Sequence, residues 1–396
     1  MTDPLPGLDY AAFARDLDEI RAEAVASLGA DDLAHMQKME RWGRGAEALG
    51  YATAWIAPNP ISAALISLGS TARWTIVTHH CSHGGMDRVP GAPERYRSKV
   101  FAHGKRRLLD WFDWMLPDAW HYEHNVLHHY HTNEGLDPDL VEQNFESLHR
   151  DGVPMALRYA ALGFYALTWK LSYYAPNTYL VLRRAEQSRA AGKPVSIDGI
   201  ANPDPLLTAF DLRTETGRGF WRQCLLPYGL VRFAALPALY LPLGPWAAFS
   251  VWANSVGAEV MHNLHSFMVI VPNHAGPDMH RFDRAVTDRA EFYVRQVLGS
   301  VNLSTGGDLR DFMHGFLNYQ IEHHLWPDLP PRAYQRVQPK VKAVCEKHGV
   351  PYVQEPVSKR FGKLVDVIVG RATMKRSETR SKAARRASKP EAELAG

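Results

Sequence analysis

The chain alternates apolar runs with polar, histidine-bearing stretches, and the spacing inside each predicts its element. Residues 1–44 carry apolar positions at helical spacing, as in YAAFARDLDEIRAEAVASL. That pattern predicts amphipathic helix and polar surface outside any bilayer. From Gly45 to Thr78 the sequence turns mostly apolar, with Pro58 and Pro60 interrupting it, which suits a short helical hairpin or one long broken span. Met155 to Leu182 is apolar and aromatic but carries Arg158 and Lys170, with Arg183 next, and this predicts an interfacial amphipathic helix rather than a full crossing. The polar stretch from about Arg184 to Arg218, bounded by Gly and Pro, reads as a soluble excursion. Cys224 to Pro272 holds only Arg232 and Glu259 as charges and has a Pro-Leu-Gly-Pro turn at its middle. Two spans of about 20 residues joined tightly fit it.

Composition changes this picture in a few places. The mean hydropathy of -0.28 points towards the core of a large soluble helical protein. A membrane protein with large cytoplasmic parts averages to a similar value, and the 11 Trp and 16 Tyr cluster beside the apolar runs, as interface aromatics do. The three cysteines, Cys81, Cys224 and Cys345, lie far apart without CxxC spacing, which excludes a disulfide framework or thiolate metal site and fits a reducing compartment. The first residues lack a basic segment followed by an apolar one, so no signal peptide is expected. The net charge of +3 is small, but Lys and Arg gather near the C-terminus in KRFGK and MKRSETRSKAARRASK. No aromatics are interleaved there, which argues against nucleic-acid binding and for a disordered, cytoplasm-facing basic tail over residues 354–396. The Ala- and Arg-rich composition hints at a bacterial source and hence a plasma membrane.

Candidate chemistry lies in the 19 histidines. In THHCSHGG, His79 and His83 sit four apart, stacking their imidazoles on one helix face just past the first apolar run. WHYEHNVLHHYHTNEGLDPD repeats the spacing with His124 and His128, and His129 follows directly. In NYQIEHHLWPDLP, His323 and His324 are preceded by Gln320. Any one pair could be a solvated or internally bonded face, but three compact blocks point to a shared metal centre. Imidazole suits Zn, Cu, Fe and Ni alike. A single zinc takes four ligands, whereas this many histidines suffice for two metals. Adjacent histidines on a helix point about 100° apart, so each member of a pair can serve a different metal.

HxxxH, HxxxHH and QIEHHLWP together resemble the membrane fatty acid desaturases, and the last block is similar to that of the front-end members, where Gln replaces the usual first histidine. The resemblance covers roughly residues 45–353. It implies an all-α, integral-membrane fold of about four transmembrane helices in two pairs, carrying a cytoplasmic helical cap in which the histidine blocks converge on two irons. It implies iron ligation by His79, His83, His124, His128, His129, His323 and His324, with Gln320 at a further ligand position. The family also takes a histidine near the end of the last span, for which His262 and His265 compete, His265 being favoured. Glu123, Asn125, Asp137, Asp139 and Glu322 are candidates to orient the ligands. His35, His103, His149, His274, His280, His314 and His348 are scattered and read as structural.

Three departures matter. His80 stands where the family commonly has an acidic residue. Three residues separate His124 from His128, a spacing also seen in related hydroxylases. The HPGG signature of a fused haem domain is absent, so electrons must arrive on a separate protein, a ferredoxin or a b-type cytochrome with its reductase. The expected function is an oxygen-dependent fatty acid desaturase acting on acyl-lipid or acyl-CoA, with a membrane alkane or lipid hydroxylase as the alternative. The run Lys105, Arg106, Arg107 is a candidate for holding a phosphate-bearing head group at the mouth of a deep apolar tunnel. A zinc hydrolase would need a carboxylate base as in HExxH, and the first block has none.

Overall fold

The computed structural model describes residues 4–192 and 205–377. Its architecture is helical, with one short parallel strand pair, and the histidine blocks sit where the long helices give way to a cap. Helix α1 (Tyr10–Ala26) starts where the Asp9 side chain accepts from the Ala12 N–H at 3.0 Å. It buries Tyr10, Phe13, Leu17, Ile20 and Ala24 on one face, the periodicity expected of an amphipathic helix. Helix α2 (Ala30–Ala54) opens with Asp31 and Asp32 in its first turn, where carboxylates complement the helix dipole. Helix α3 (Pro60–Thr71) is capped by Asn59, whose side chain accepts from the Ser62 N–H at 2.8 Å, with Pro60 at its first position. α2 and α3 form an antiparallel hairpin. At Gly69 any Cβ would meet the Glu47 Cβ and lie 2.8 Å from the Gly43 carbonyl, so glycine sets the close approach of the two helices.

The chain is not divided at residue 44, because α2 runs through it unbroken. Nor is the N-terminal region separate. α1 packs its apolar face onto Val337, Val341 and Cys345 of a later helix. Asp16 also pairs with Lys347 and His348 at 2.7 and 2.6 Å.

Helix α4 (Met155–Trp169) exposes Met155, Leu157, Tyr159, Phe164 and Leu167 and passes through a π turn (Lys170–Tyr174) into α5 (Ala175–Ala190). Lys170, counted above as a charge against membrane insertion, is fully buried, with its Nζ 2.6 Å from Asp113 Oδ2 and 3.7 Å from Glu259 Oε1. The polar excursion expected to about Arg218 falls partly outside the described residues. Past it, α6 (Glu215–Leu243) is long and apolar enough to cross a membrane by length and composition. It leaves Leu226, Leu230, Val231, Leu239 and Leu241 exposed. The turn at Gly244, with φ of 108°, leads into α7 (Pro245–Ile270), which packs along α3 and α4.

The cap is built from α8 (Arg289–Leu298), α9 (Gln320–Leu325), α10 (Pro331–His348) and α11 (Val357–Ile368), with strands β1 (His280–Phe282) and β2 (Lys375–Ser377) paired in parallel. The expected disordered tail from residue 354 is therefore corrected over its first part. Arg360, Leu364, Val367 and Ile368 give α11 a buried face, and residues 378–396 lie outside the described residues.

Candidate metal centre

The first histidine block continues the line of α3 through a π turn (Ala72–Thr78) into the helical turn His79–Ser82. Thr75 Oγ1 donates to the Thr71 carbonyl at 2.9 Å, a local bond that competes with the regular helix ladder. The second block lies in a π-helical segment (His121–His128) that runs into the short turn His129–His131. Asn125 Nδ2 ties it to the first block by donating to the Ser82 carbonyl at 3.0 Å. The third block is α9 itself, buried at every position.

These elements bring the imidazoles into two groups. His79, His83, His124, His129 and His323 form one, and His128, His274 and His324 the other, with the potential ligand atoms of each group within 4.8 Å of one another. Both adjacent pairs are divided: His128 and His324 go to one cluster, His129 and His323 to the other. Asp139 also comes within that reach of His124 and His128.

The nitrogens face inward. His79 Nε2 and His124 Nε2 are 2.9 Å apart, and His129 Nε2 and His323 Nε2 are 3.1 Å apart. His83 Nε2 and His324 Nε2 are buried and have no hydrogen-bond partner. Lone pairs aimed at one another in a dry site are what a shared cation resolves, and buried polar atoms otherwise demand partners. Burial holds His124, His129, His323 and His324 well below the ordinary imidazole range, in the neutral form that binds metal. His128 is the exception. Burial alone would lower it, but the Asp137 carboxylate more than offsets this and raises it.

The outer nitrogens of several rings are held. His128 Nδ1–H donates to Asp137 Oδ1 at 2.9 Å, His324 Nδ1–H to Gln296 Oε1 at 3.0 Å, and His274 Nδ1–H to the Gly299 carbonyl at 3.2 Å. His323 Nδ1 lies 3.2 Å from the Tyr334 hydroxyl. Such partners fix the tautomer and aim the ring. Gln320 Nε2 is 2.9 Å from His274 Nε2, placing its amide at the second cluster. The other candidates to orient the ligands do different things. Glu322 points away, accepting from Asn302 Nδ2 and the Tyr352 hydroxyl at 2.7 Å each, and burial pushes it up to about 7. Glu123 is buried with neither oxygen bonded, and burial raises its pKa well above the carboxylate range.

Two expectations are corrected. His262 and His265 join neither cluster: His262 Nδ1 meets Thr71 Oγ1 at 2.7 Å, and His265 Nε2 meets the Met313 carbonyl at 2.6 Å. Both sit on α7 well before its end, and only the turn after it, Val271–Asn273, carries the chain to the site. His274, read as structural from sequence, is the histidine delivered there. The signal was available, since His274 follows the last apolar run directly, as His79 follows the first. The other six scattered histidines bond elsewhere, for example His35 to Asp308 and His348 to Asp16.

A cavity of about 550 Å³ runs up to both clusters. His79, His124, His128, His274 and Gln320 line its inner part, Trp74, Trp120, Tyr165, Trp169, Tyr174 and Phe267 form its walls, and the exposed residues Glu146, Ser147 and Arg150 stand at its rim. Lys105, Arg106 and Arg107 do not reach it. Arg106 pairs with Asp110 at 2.8 Å, and Arg107 donates to the carbonyls of Gln223 and Asp113.

Eight converging imidazoles beside a long aromatic cavity define a helical protein with the capacity to bind metal next to an apolar ligand. The fatty acid desaturase family matches residues 53–356, and the chain belongs to that family of oxidoreductases. It is 27% identical over 389 residues to the NADPH-dependent stearoyl-CoA 9-desaturase of Mycobacterium tuberculosis, covering 91% of this chain and 79% of that one. It is 28% identical over 313 residues to the chloroplastic acyl-lipid (7-3)-desaturase of Chlamydomonas reinhardtii, covering 77% of this chain and 55% of that one. It is 30% identical over 242 residues to the acyl-lipid (7-3)-desaturase of Rebecca salina, covering 60% and 49%.

Proposed function

We propose that this chain is a multi-pass membrane enzyme that uses two irons and dioxygen to place a double bond in the fatty acyl chain of an acyl-CoA or acyl-lipid. The observation that carries the reading is the meeting of cavity and clusters, since the same histidines line both. The α2–α3 hairpin from residue 45 onwards and the α6–α7 hairpin are read as four spans in two pairs. Their exposed Ile56, Ile61, Leu239, Leu243, Trp246 and Phe249 suit lipid contact, and in this reading the histidine cap faces the cytoplasm.

An alkyl C–H bond offers no acidic proton and no polarised carbon, so acid–base side chains cannot break it. Irons held by the two clusters supply the dioxygen chemistry that can. The chain's own groups do the rest. Trp120, Tyr165, Trp169, Tyr174 and Phe267 surround the alkyl chain and exclude water. Asp137, Gln296 and the Gly299 carbonyl keep a proton on Nδ1 of His128, His324 and His274, which leaves each Nε2 with its lone pair, at His274 accepting from the Gln320 amide. In the overall balance, one dioxygen takes two hydrogens from neighbouring methylenes, two electrons from a separate redox protein and two protons from solvent. One alkene and two waters result.

Expression in a host lacking the activity, followed by mass spectrometry of its lipids with double-bond localisation, tests the reaction. A new double bond is the expected product, and a hydroxylated chain would move the reading to a hydroxylase. Metal analysis of protein from iron-replete cells should give about two irons per chain. Stoichiometric zinc, with activity surviving iron chelation, would overturn the proposal.

A further inference from the structure

The two clusters are supported differently. The larger is fed from helical segments, whereas His274 sits on an irregular loop between α7 and β1 and belongs to the three-histidine cluster. That loop is gripped by a side chain from a distant part of the chain. Arg360, fully buried on α11, reaches both sides of His274. Its Nη2 donates to the Ala275 carbonyl at 2.9 Å, its Nε to the Pro272 carbonyl at 3.3 Å, and its Nη1 to both carboxylate oxygens of Asp278 at 2.8 Å. Lys363 and Glu355 complete the charge balance around Asp278, with Lys363 Nζ 2.7 Å from Asp278 and 2.8 Å from Glu355. The loop leaves space for this. A Cβ on Gly276 would stand 2.5 Å from Arg360 Nη2 and 2.7 Å from Asp278 Oδ1, so any larger residue there would have to displace the guanidinium or its carboxylate partner. α11 begins just beyond the segment that the family match covers.

We infer that Arg360 is a positioning residue for the second cluster, holding His274 in place through the Pro272 and Ala275 carbonyls, so that α11 controls occupancy of one metal position and not the other. A guanidinium suits the task because its planar fork satisfies carbonyls and a carboxylate in one fixed geometry, which an ammonium cannot do. Without it, two buried carbonyls lose their donor and the loop is free to move. A cluster of three histidines then falls to two, while the five-histidine cluster loses nothing. The inference rests on the metal reading of both clusters.

The test is cobalt(II) titration of the metal-stripped, full-length protein, followed by the visible absorption of bound cobalt. Wild-type protein should take up two equivalents. Arg360→Gln should keep the first and weaken the second by about 10- to 100-fold, the usual effect of losing an outer-shell partner. Arg360→Lys should be intermediate. Gly276→Ala, which retains the arginine but displaces it, should behave like Arg360→Gln and decides the matter if that variant does not fold. Glu40→Gln, which disturbs a buried network at Arg95 and Tyr96 away from the loop, should still bind two. Unchanged second-site affinity in Arg360→Gln or Gly276→Ala, or equal weakening of both sites, would overturn the inference. Fewer than two equivalents in wild type would instead count against the proposed function.

Discussion

Asp137 offers the sharpest test of how the clusters are held, because its two oxygens have separate duties. Oδ1 accepts from His128 Nδ1–H and from the Asp139 N–H, both at 2.9 Å, while Oδ2 accepts from the Asn133 N–H at 2.7 Å. Asp137→Asn keeps the shape but turns one oxygen into a donor. The amide oxygen should take the Oδ1 place, where two donors need it, leaving the buried Asn133 N–H facing another donor at a stability cost of about 1–3 kcal/mol. His128 keeps its partner, but the bond is no longer charge-assisted and loses about 1 kcal/mol. Since about 1.4 kcal/mol is tenfold in affinity, the second metal should bind roughly fivefold more weakly, while the five-histidine cluster is unaffected. Cobalt titration reads the affinity, and thermal unfolding of the stripped protein reads the stability. A lowered unfolding midpoint with wild-type cobalt affinity would refute the reasoning and leave Asp137 as a support of its loop only.

Gln320→Ala should lose most turnover yet retain more iron than His324→Ala, and Gln320→His should keep partial activity; wild-type turnover in Gln320→Ala would remove Gln320 from the site. His274→Ala should lower the metal content measured by mass spectrometry, whereas His262→Ala and His265→Ala should leave it unchanged, and the reverse result would restore the sequence expectation. Burial would raise Glu40, but the bonds from Arg95, Tyr96 and Arg44 win and hold it at about 2. Its contribution to stability is therefore full above its unfolded value and is lost as pH falls towards 2. The midpoint difference between wild type and Glu40→Gln should shrink over that window in chemical unfolding scans, and a difference constant with pH would contradict the assignment.

What could be read from the sequence follows the reach of its signals. Blocks with i,i+4 histidines and the Pro-Leu-Gly-Pro turn are local patterns, and the structure has helical segments and a turn there. The division of His128 from His129 and of His323 from His324 follows from the helical angle between neighbours. His274 was missed because it stands alone on a loop, marked by its place just after the last apolar run and by no periodicity. Its role depends on α9, Gly299 and Gln320 arriving from later in the chain. Gln296 and Tyr334 were missed for the same reason, since each reaches a block histidine only across a tertiary contact. Arg360 lay in what read as a basic tail, because KRFGK shows charge before it shows the apolar face of Phe361, Leu364 and Ile368.

The second block shows where helical reasoning needed a different helix. On an α-helix His124 and His128 share a face, while His129, five residues on, points about 140° from His124 at 100° per residue. The structure instead puts His124 and His129 in one cluster and His128 in the other. The reason is the π-helical segment His121–His128, whose bonds close from i to i+5 and bring residues five apart onto one side. His124 and His128 remain stacked, with centroids 5.3 Å apart and planes 20° from parallel, so a single turn presents both sides of the site. A regular α-helix of the same sequence would turn His129 away from His83 and His323, whose rings now stand 4.4 and 4.7 Å from its own. The wider turn is therefore part of how three histidines from one short segment serve two clusters.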